Sequence, residues 1–128
     1  PGNYLVVQAQ AKPGQELIIG FRRDASFGPM LLVGSGGIYA EVLQDKQLAP
    51  AGLSQADALA MIKRLRIYPL LSGARGQASL DVKAAAKALS ALSRLAEEHP
   101  EISELDINPL IVSSKGAVAA DVRIIIKQ

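Results

Sequence analysis

The stretch Ile102-Ser103-Glu104-Leu105-Asp106-Ile107-Asn108-Pro109-Leu110-Ile111-Val112, with Ser113-Ser114-Lys115-Gly116 and then Ala117 to Ile126 behind it, decides the fold. Two apolar, β-branched runs flank a short polar segment that ends in glycine, the pattern of a hairpin. A turn centred on Ser114 and Lys115 sets Asn108 opposite Asp121 and Asp106 opposite Arg123. Side chains alternate along a strand, so Asp106 and Asn108 share a face and Asp121 joins them from across the pair. Three oxygen donors then occupy one patch. Mg²⁺ selects hard oxygen donors of this kind and commonly keeps few protein ligands beside substrate phosphates. A plainer reading also stands, in which Asp106 and Arg123 form a cross-strand ion pair and Asn108 ends a strand before Pro109.

Upstream of the hairpin, residues from about Leu80 to Glu98 carry an apolar stripe at helical period: Ala85, Ala88, Leu89, Leu92, Leu95 and Ala96. Lys83, Lys87, Ser90 and Arg94 are read as facing water. His99, before Pro100, reads as a cation at the helix C-terminus in preference to a ligand or base. A shorter helix over residues 54 to 65 starts at Ser54, with Asp57 placed for a capping box and Ala58, Met61, Ile62 and Leu65 on one face. Between the helices lies the polar loop Ser72-Gly73-Ala74-Arg75-Gly76-Gln77.

The first 45 residues read as strands and turns. Tyr4 to Gln8 and Glu16 to Arg23 flank Lys12-Pro13-Gly14 and suggest a hairpin. Pro29 to Val33 reads as a buried strand, and Ile38 to Leu43 resumes strand character after Gly34, Gly36 and Gly37. The order predicts an α+β fold for residues 1–128 as one domain, with two main helices packed on one face of a mainly antiparallel sheet.

Composition narrows the function. The chain has 128 residues, 49% hydrophobic and 20% charged, which is one packed domain's worth. Its charges balance to +2 and are scattered, so neither a nucleic-acid nor a membrane surface is expected. No cysteine is present, which excludes disulfides and thiolate chemistry and fits a cytoplasmic protein. The single histidine removes most imidazole chemistry. The opening Pro1-Gly2-Asn3 reads as the start of an excised fragment.

Other polar residues carry two readings each. Gly34-Ser35-Gly36-Gly37 lets a backbone approach a ligand, or is a bulge or turn without the Lys and helix of a phosphate loop. Glu41 is solvated or functional. Of Arg22 and Arg23, which alternate in direction, one can face a site on the sheet and bind phosphate, or pair at the surface beside Asp24. Arg75 reaches an anion from its glycine loop, or is solvated there.

Together, Glu16-Leu17-Ile18-Ile19-Gly20, Arg23-Asp24, Phe27-Gly28-Pro29, Gly34 to Val42 and Glu104-Leu105-Asp106-Ile107-Asn108-Pro109-Leu110 resemble one family over nearly the whole chain. It is the ATP-grasp domain of NDP-forming acyl-CoA synthetases, similar to the succinyl-CoA synthetase β subunit, and the match is to the larger C-terminal lobe. The resemblance implies that Gln8, Ala9 and Gln10 form the hinge that meets adenine, although Ala9 stands where the family often has an acid. It implies that Glu16 faces the ribose and that Asn108 and Asp121 hold Mg²⁺ with Asp106 beside them. Arg23 and Arg75 fall in motifs tied to phosphate contact, and Glu41 matches without a defined role.

The family reaction passes a phosphoryl group from an acyl phosphate through a histidine to NDP, with ATP or ADP and Mg²⁺ as cofactors. The resemblance places the CoA-binding and ligase domains, and the N-terminal ATP-grasp lobe, outside this sequence, so the chain alone is expected to bind nucleotide weakly and not to turn over. An oligomer of the full-length protein stays open. Two alternatives stay open with it. The same domain array occurs in bacterial GNAT-fused protein lysine acetyltransferases as a regulatory module, and a domain for protein contacts alone is the blandest reading.

Overall fold

A computed structural model of the chain describes residues 3–8 along the backbone, and residues 14–37, 40, 44–73 and 78–127 with side chains. In chain order the elements are β1 (Asn3–Gln8), β2 (Gln15–Asp24), β3 (Gly28–Ser35), β4 (Lys46–Pro50), α1 (Gln55–Lys63), α2 (Tyr68–Leu71), α3 (Val82–Glu98), β5 (Ile102–Ser113), β6 (Gly116–Ala119) and β7 (Asp121–Ile126). The strands form one sheet in the order β1-β7-β5-β2-β3-β4, with β6 paired to β5, and every pairing is antiparallel.

The sheet has one sealed face and one open face. Leu17, Ile19 and Phe21 of β2, Leu31 and Val33 of β3, and Leu105 and Ile107 of β5 are buried beneath the helices. Ala58, Met61 and Ile62 of α1 and Ala85, Leu89 and Leu92 of α3 supply the other half of this core. Burial of these side chains is the main source of stability, because helices this short gain most of it from an apolar face.

Local signals set the helix starts. The Ser54 hydroxyl accepts from the Asp57 amide at 3.0 Å while the Asp57 carboxylate accepts from the Ser54 amide at 3.1 Å, which completes the capping box. Asp81 caps α3 by accepting from the Ala84 amide at 3.0 Å. Hydrogen bonds from the Ser54 backbone, and then from its hydroxyl, hold the Asp57 carboxyl below its ordinary value.

Several expectations change. β1 pairs with β7 and not with β2, whose neighbours are β3 and β5. A Pro-Gly pair reverses a chain without choosing the strand's partner. Ser90 does not face water: it is buried and donates to the Leu53 carbonyl at 3.1 Å. Its neighbour Ser93 accepts from the Gly52 and Leu53 amides at 2.8 and 3.0 Å, so two hydroxyls pin the approach to α1 onto α3. In the expected strand from Ile38 to Leu43, Ala40 is the described residue. Its backbone is helical, and its amide donates to the Gly37 carbonyl at 3.2 Å. The rest of that run, with Glu41, lies outside the described residues. α2 and β4 were not expected. The last expected strand is interrupted at Ala120, whose amide donates to the Pro109 carbonyl at 3.0 Å. No helix among the described residues is long and apolar enough to cross a membrane.

Candidate functional site

The register of β5 builds the site. Asp106 pairs with Arg123 and Ile107 with Val122 on β7, while Leu110 pairs with Ala119 on β6. The same register on both sides of the break sets Asn108 opposite Asp121, as the hairpin turn predicts. On β2, Leu17 pairs with Leu110 and Ile19 with Ile107, so Ile18 alone faces both Asn108 and Pro109. This is a bulge with two residues against one. Proline, which has no N–H for a ladder bond, is tolerated in a sheet interior at such a place. The bulge keeps Leu105, Ile107 and Leu110 buried in the core while Asp106 and Asn108 remain exposed on the other side.

Gly20 makes room for this arrangement. A Cβ at that position would meet the Leu105 carbonyl oxygen at 2.5 Å and the Asp106 Cα at 3.2 Å. Glycine there lets β2 and β5 approach directly beneath Asp106. On the other side of Asp106, the Arg123 guanidinium reaches Glu104 at 3.7 Å, and no ion pair to Asp106 forms among the described residues. The expected alternative of an Asp106–Arg123 pair is therefore replaced by a neighbouring one, and the Asp106 carboxylate is left open.

Asp121 begins β7. Val122, Ile124 and Ile126 pack against the core, so Asp121 and Arg123 alternate onto the open face. Asp121 also pairs with Gln8 of β1. The strand expected to form the adenine hinge and the candidate metal ligand are thus direct neighbours. Ala9 and Gln10, and likewise Arg75, lie outside the described residues.

The open face carries two recesses of about 590 and 610 Å³ that share Ile18, Leu32, Lys46 and Asp106. One extends toward Phe27 at the β2–β3 turn. The other runs past Gly34 and Gln44 and includes Asn108. Two carboxylates and an amide oxygen on adjacent strands, with Asp106 unpaired and beside an open recess, fit a hard divalent cation that keeps positions for other ligands. Among the described residues no group of three or more His, Cys, Asp or Glu side chains clusters for a metal. The set depends on the amide of Asn108.

The glycine segment has a different part. The Gly36 amide donates to the Glu16 carbonyl at 3.0 Å, and Gly37 turns with φ of 63° where a Cβ would lie 2.7 Å from a Glu16 carboxylate oxygen. The left-handed φ favours glycine at this position, and a Cβ there would make the Glu16 carboxylate shift. Glu16 is half-buried against this turn, at the same end of β2 as Ile18. Ser35 is buried, and its hydroxyl has no hydrogen-bond partner among the described residues.

Arg23 requires a correction. Its guanidinium donates to the carbonyls of Ala96 at 2.9 Å, His99 at 2.8 Å and Ile102 at 2.8 Å, and it lies over the Phe21 ring. These partners belong to the end of α3 and the start of β5, on the sealed side of the sheet. Arg22 is the one that alternates to the open face. Arg23 clamps a helix C-terminus, where free carbonyls need donors. The same corner holds His99, whose ring nitrogen lies 2.8 Å from the Glu101 carboxylate. A backbone hydrogen bond at Glu101, and then the one to His99, keep the Glu101 carboxyl below its ordinary value.

Lys46 escaped the sequence reading, and Gly20 entered it only as the end of the Glu16 to Gly20 motif, without its packing role. Lys46–Pro50 alternates in exposure but not in polarity, with Leu48 on the exposed side, and it has no β-branched residue, so the sequence carries no strand signal for β4.

A family model described as an ATP-grasp domain matches residues 2–126. The chain belongs to the ATP-grasp family. This ATP-grasp domain is 42% identical over 113 residues to the beta subunit of ADP-forming acetate–CoA ligase I of Pyrococcus furiosus, covering 88% of this chain and 49% of that one. It is 38% identical over 112 residues to the ADP-forming 4-hydroxybutyrate–CoA ligase of Nitrosopumilus maritimus, covering 88% of this chain and 16% of that one. Among solved structures it superposes with a TM-score of 0.86 and 44% identity on an acetyl-coenzyme A synthetase of Ca. Korarchaeum cryptofilum, in complex with coenzyme A and Mg-AMPPCP. That match covers 91% of this chain and 55% of the other. The ATP-grasp domain thus spans about half the length of the Pyrococcus subunit and of the Korarchaeum chain. These relatives are CoA synthetases and ligases and lend no support to the acetyltransferase reading.

Proposed function

We propose that this ATP-grasp domain is the nucleotide- and Mg²⁺-holding lobe of an ADP-forming acyl-CoA ligase. The whole protein would convert acyl-CoA, ADP and phosphate to the acid, CoA and ATP, reversibly, with a phosphohistidine and the CoA site supplied by its other domains. The observation that carries this is the oxygen set of Asp106, Asn108 and Asp121 on the open face, fixed there by register and by the bulge at Asn108-Pro109. A Korarchaeum relative that shares the fold at 44% identity holds Mg-AMPPCP.

In this reading Asp106, Asn108 and Asp121 hold Mg²⁺, which supplies charge neutralisation at the phosphate oxygens. Gln8, beside Asp121, belongs with Ala9 and Gln10 to the adenine hinge. Glu16 accepts hydrogen bonds from the ribose, and Arg75 is assigned to phosphate by resemblance. The acyl group is chosen elsewhere, which agrees with relatives named for acetate and for 4-hydroxybutyrate. A cytoplasmic location belongs to this reading, since ADP and CoA are reactants found there.

The test is calorimetric titration of the full-length protein with ADP, with and without Mg²⁺, alongside Asp121→Ala. Binding is expected to depend on Mg²⁺, and the substitution is expected to abolish that dependence and lower acyl-CoA turnover at least about 100-fold, the scale of a lost electrostatic contact to the transition state. Equal ADP affinity in the two proteins at every Mg²⁺ concentration overturns the reading.

A further inference from the structure

The nucleotide reading assigns one cation to the phosphates by resemblance, Arg75, which lies outside the described residues; among the described residues none is yet assigned. The carboxylates of Asp106 and Asp121 already offset both charges of one divalent ion, so the phosphates of a nucleotide need another cation nearby. Arg23 is unavailable, being committed to three carbonyls on the sealed side. Arg123 turns to Glu104. Arg22 lines only the recess toward Phe27, in the company of Asp24 and Glu104.

Lys46 remains. Among the described residues that line the recess containing Asp106 and Asn108, it is the one cation. It is exposed, and no carboxylate among the described residues forms a salt bridge with it. Its neighbour Asp45 cannot serve as that partner, because the Asp45 carboxylate is buried and accepts from the Arg66 amide at 2.7 Å and the Ile67 amide at 3.0 Å. Gln44, at a left-handed φ of 46°, precedes this division, after which Asp45 points inward and Lys46 outward.

The register sets the span. Lys46 pairs with Gly34, and Gly34 with Ile18, which faces Asn108 across the bulge. Three strand spacings separate the main chains of Lys46 and Asn108, about 14 Å, and the lysine stem shortens that gap. Gly34 has no side chain to obstruct the row between them. An ammonium at one end and three oxygen donors at the other frame an anion lying across β3 and β2.

We infer that Lys46 meets the phosphate oxygens of a nucleoside polyphosphate whose metal-bound end lies at Asp106 and Asn108. This rests on the proposed nucleotide function and adds a phosphate-binding residue to it. The role fits lysine, a compact point charge on a flexible stem.

The experiment compares adenosine and Mg·ADP by calorimetry on the full-length protein and its Lys46→Gln and Lys46→Arg variants. Lys46→Gln is expected to weaken Mg·ADP about tenfold, the scale of one charge-assisted hydrogen bond, with adenosine affinity unchanged. Lys46→Arg is expected to restore most of the loss. Unchanged Mg·ADP affinity in Lys46→Gln, or an equal loss for adenosine, overturns the inference and leaves the nucleotide function standing. Failure of the unsubstituted protein to bind Mg·ADP overturns both.

Discussion

Along β2 two sets of alternating residues live in different surroundings. Leu17, Ile19, Phe21 and Arg23 face α1 and α3, where apolar side chains are buried and the one charged group is bound to three carbonyls. Ile18, Gly20 and Arg22 face the recesses beside Asp106, which carboxylates and cations line. One strand therefore serves stability and binding with period-two alternation, and a residue's neighbours in sequence say less about its role than its neighbours two positions away. Arg22 and Arg23 show this most plainly.

Substitutions on the two faces should separate these properties. Leu89→Ala, at a fully buried position of α3, is expected to cost about 3 kcal/mol of stability in urea unfolding, while Mg·ADP affinity of the folded protein stays the same. A parallel loss of affinity would break the division between faces. Arg23→Ala is expected to cost about 2 kcal/mol, since carbonyls at the end of α3 lose a charged donor. It also distinguishes the clamp from the phosphate role the sequence suggested: a tenfold weaker Mg·ADP complex with unchanged stability would restore that role.

The smallest effect is expected at the capping box. Asp57 is fully exposed, and hydrogen bonds from Ser54 lower its carboxyl below the ordinary 3.8. A lowered value in the folded state means that the charged form stabilises the fold. That contribution is complete above the ordinary carboxylate range and disappears as pH falls through the lowered value. Asp57→Ala should therefore lower Tm slightly at pH 7, with the charge-dependent part of the difference vanishing in acid. A difference that grows as pH falls would contradict the assignment.

The sequence made much of this legible where local rules govern. Ser54 and Asp57 announced α1, the apolar stripe announced α3, and a turn at Ser114-Lys115 was enough to align Asp106 with Arg123. What stayed hidden depends on distant partners. Nothing in Tyr4 to Gln8 says that its neighbour is β7, and Ser90 looks solvent-facing until Leu53 is brought to it. The motif around Arg23 suggested phosphate because composition carries no face. For the site, the donor set could be read from spacing, whereas Lys46 could not, because its part depends on β4 joining the sheet beside Gly34.

The Arg23 clamp bears on how this domain can change over evolutionary time. By gripping Ala96, His99 and Ile102 together, it fixes where β5 starts relative to α3. From that start the chain counts off Asp106 and Asn108. A single residue inserted between Ile102 and Asp106 would exchange inward and outward positions, burying a carboxylate and exposing Leu105 or Ile107. Point changes at the exposed Asp106 and Asn108 are tolerable to the fold, but changes of length in this short segment are not, so the spacing of these residues should drift more slowly than their identities.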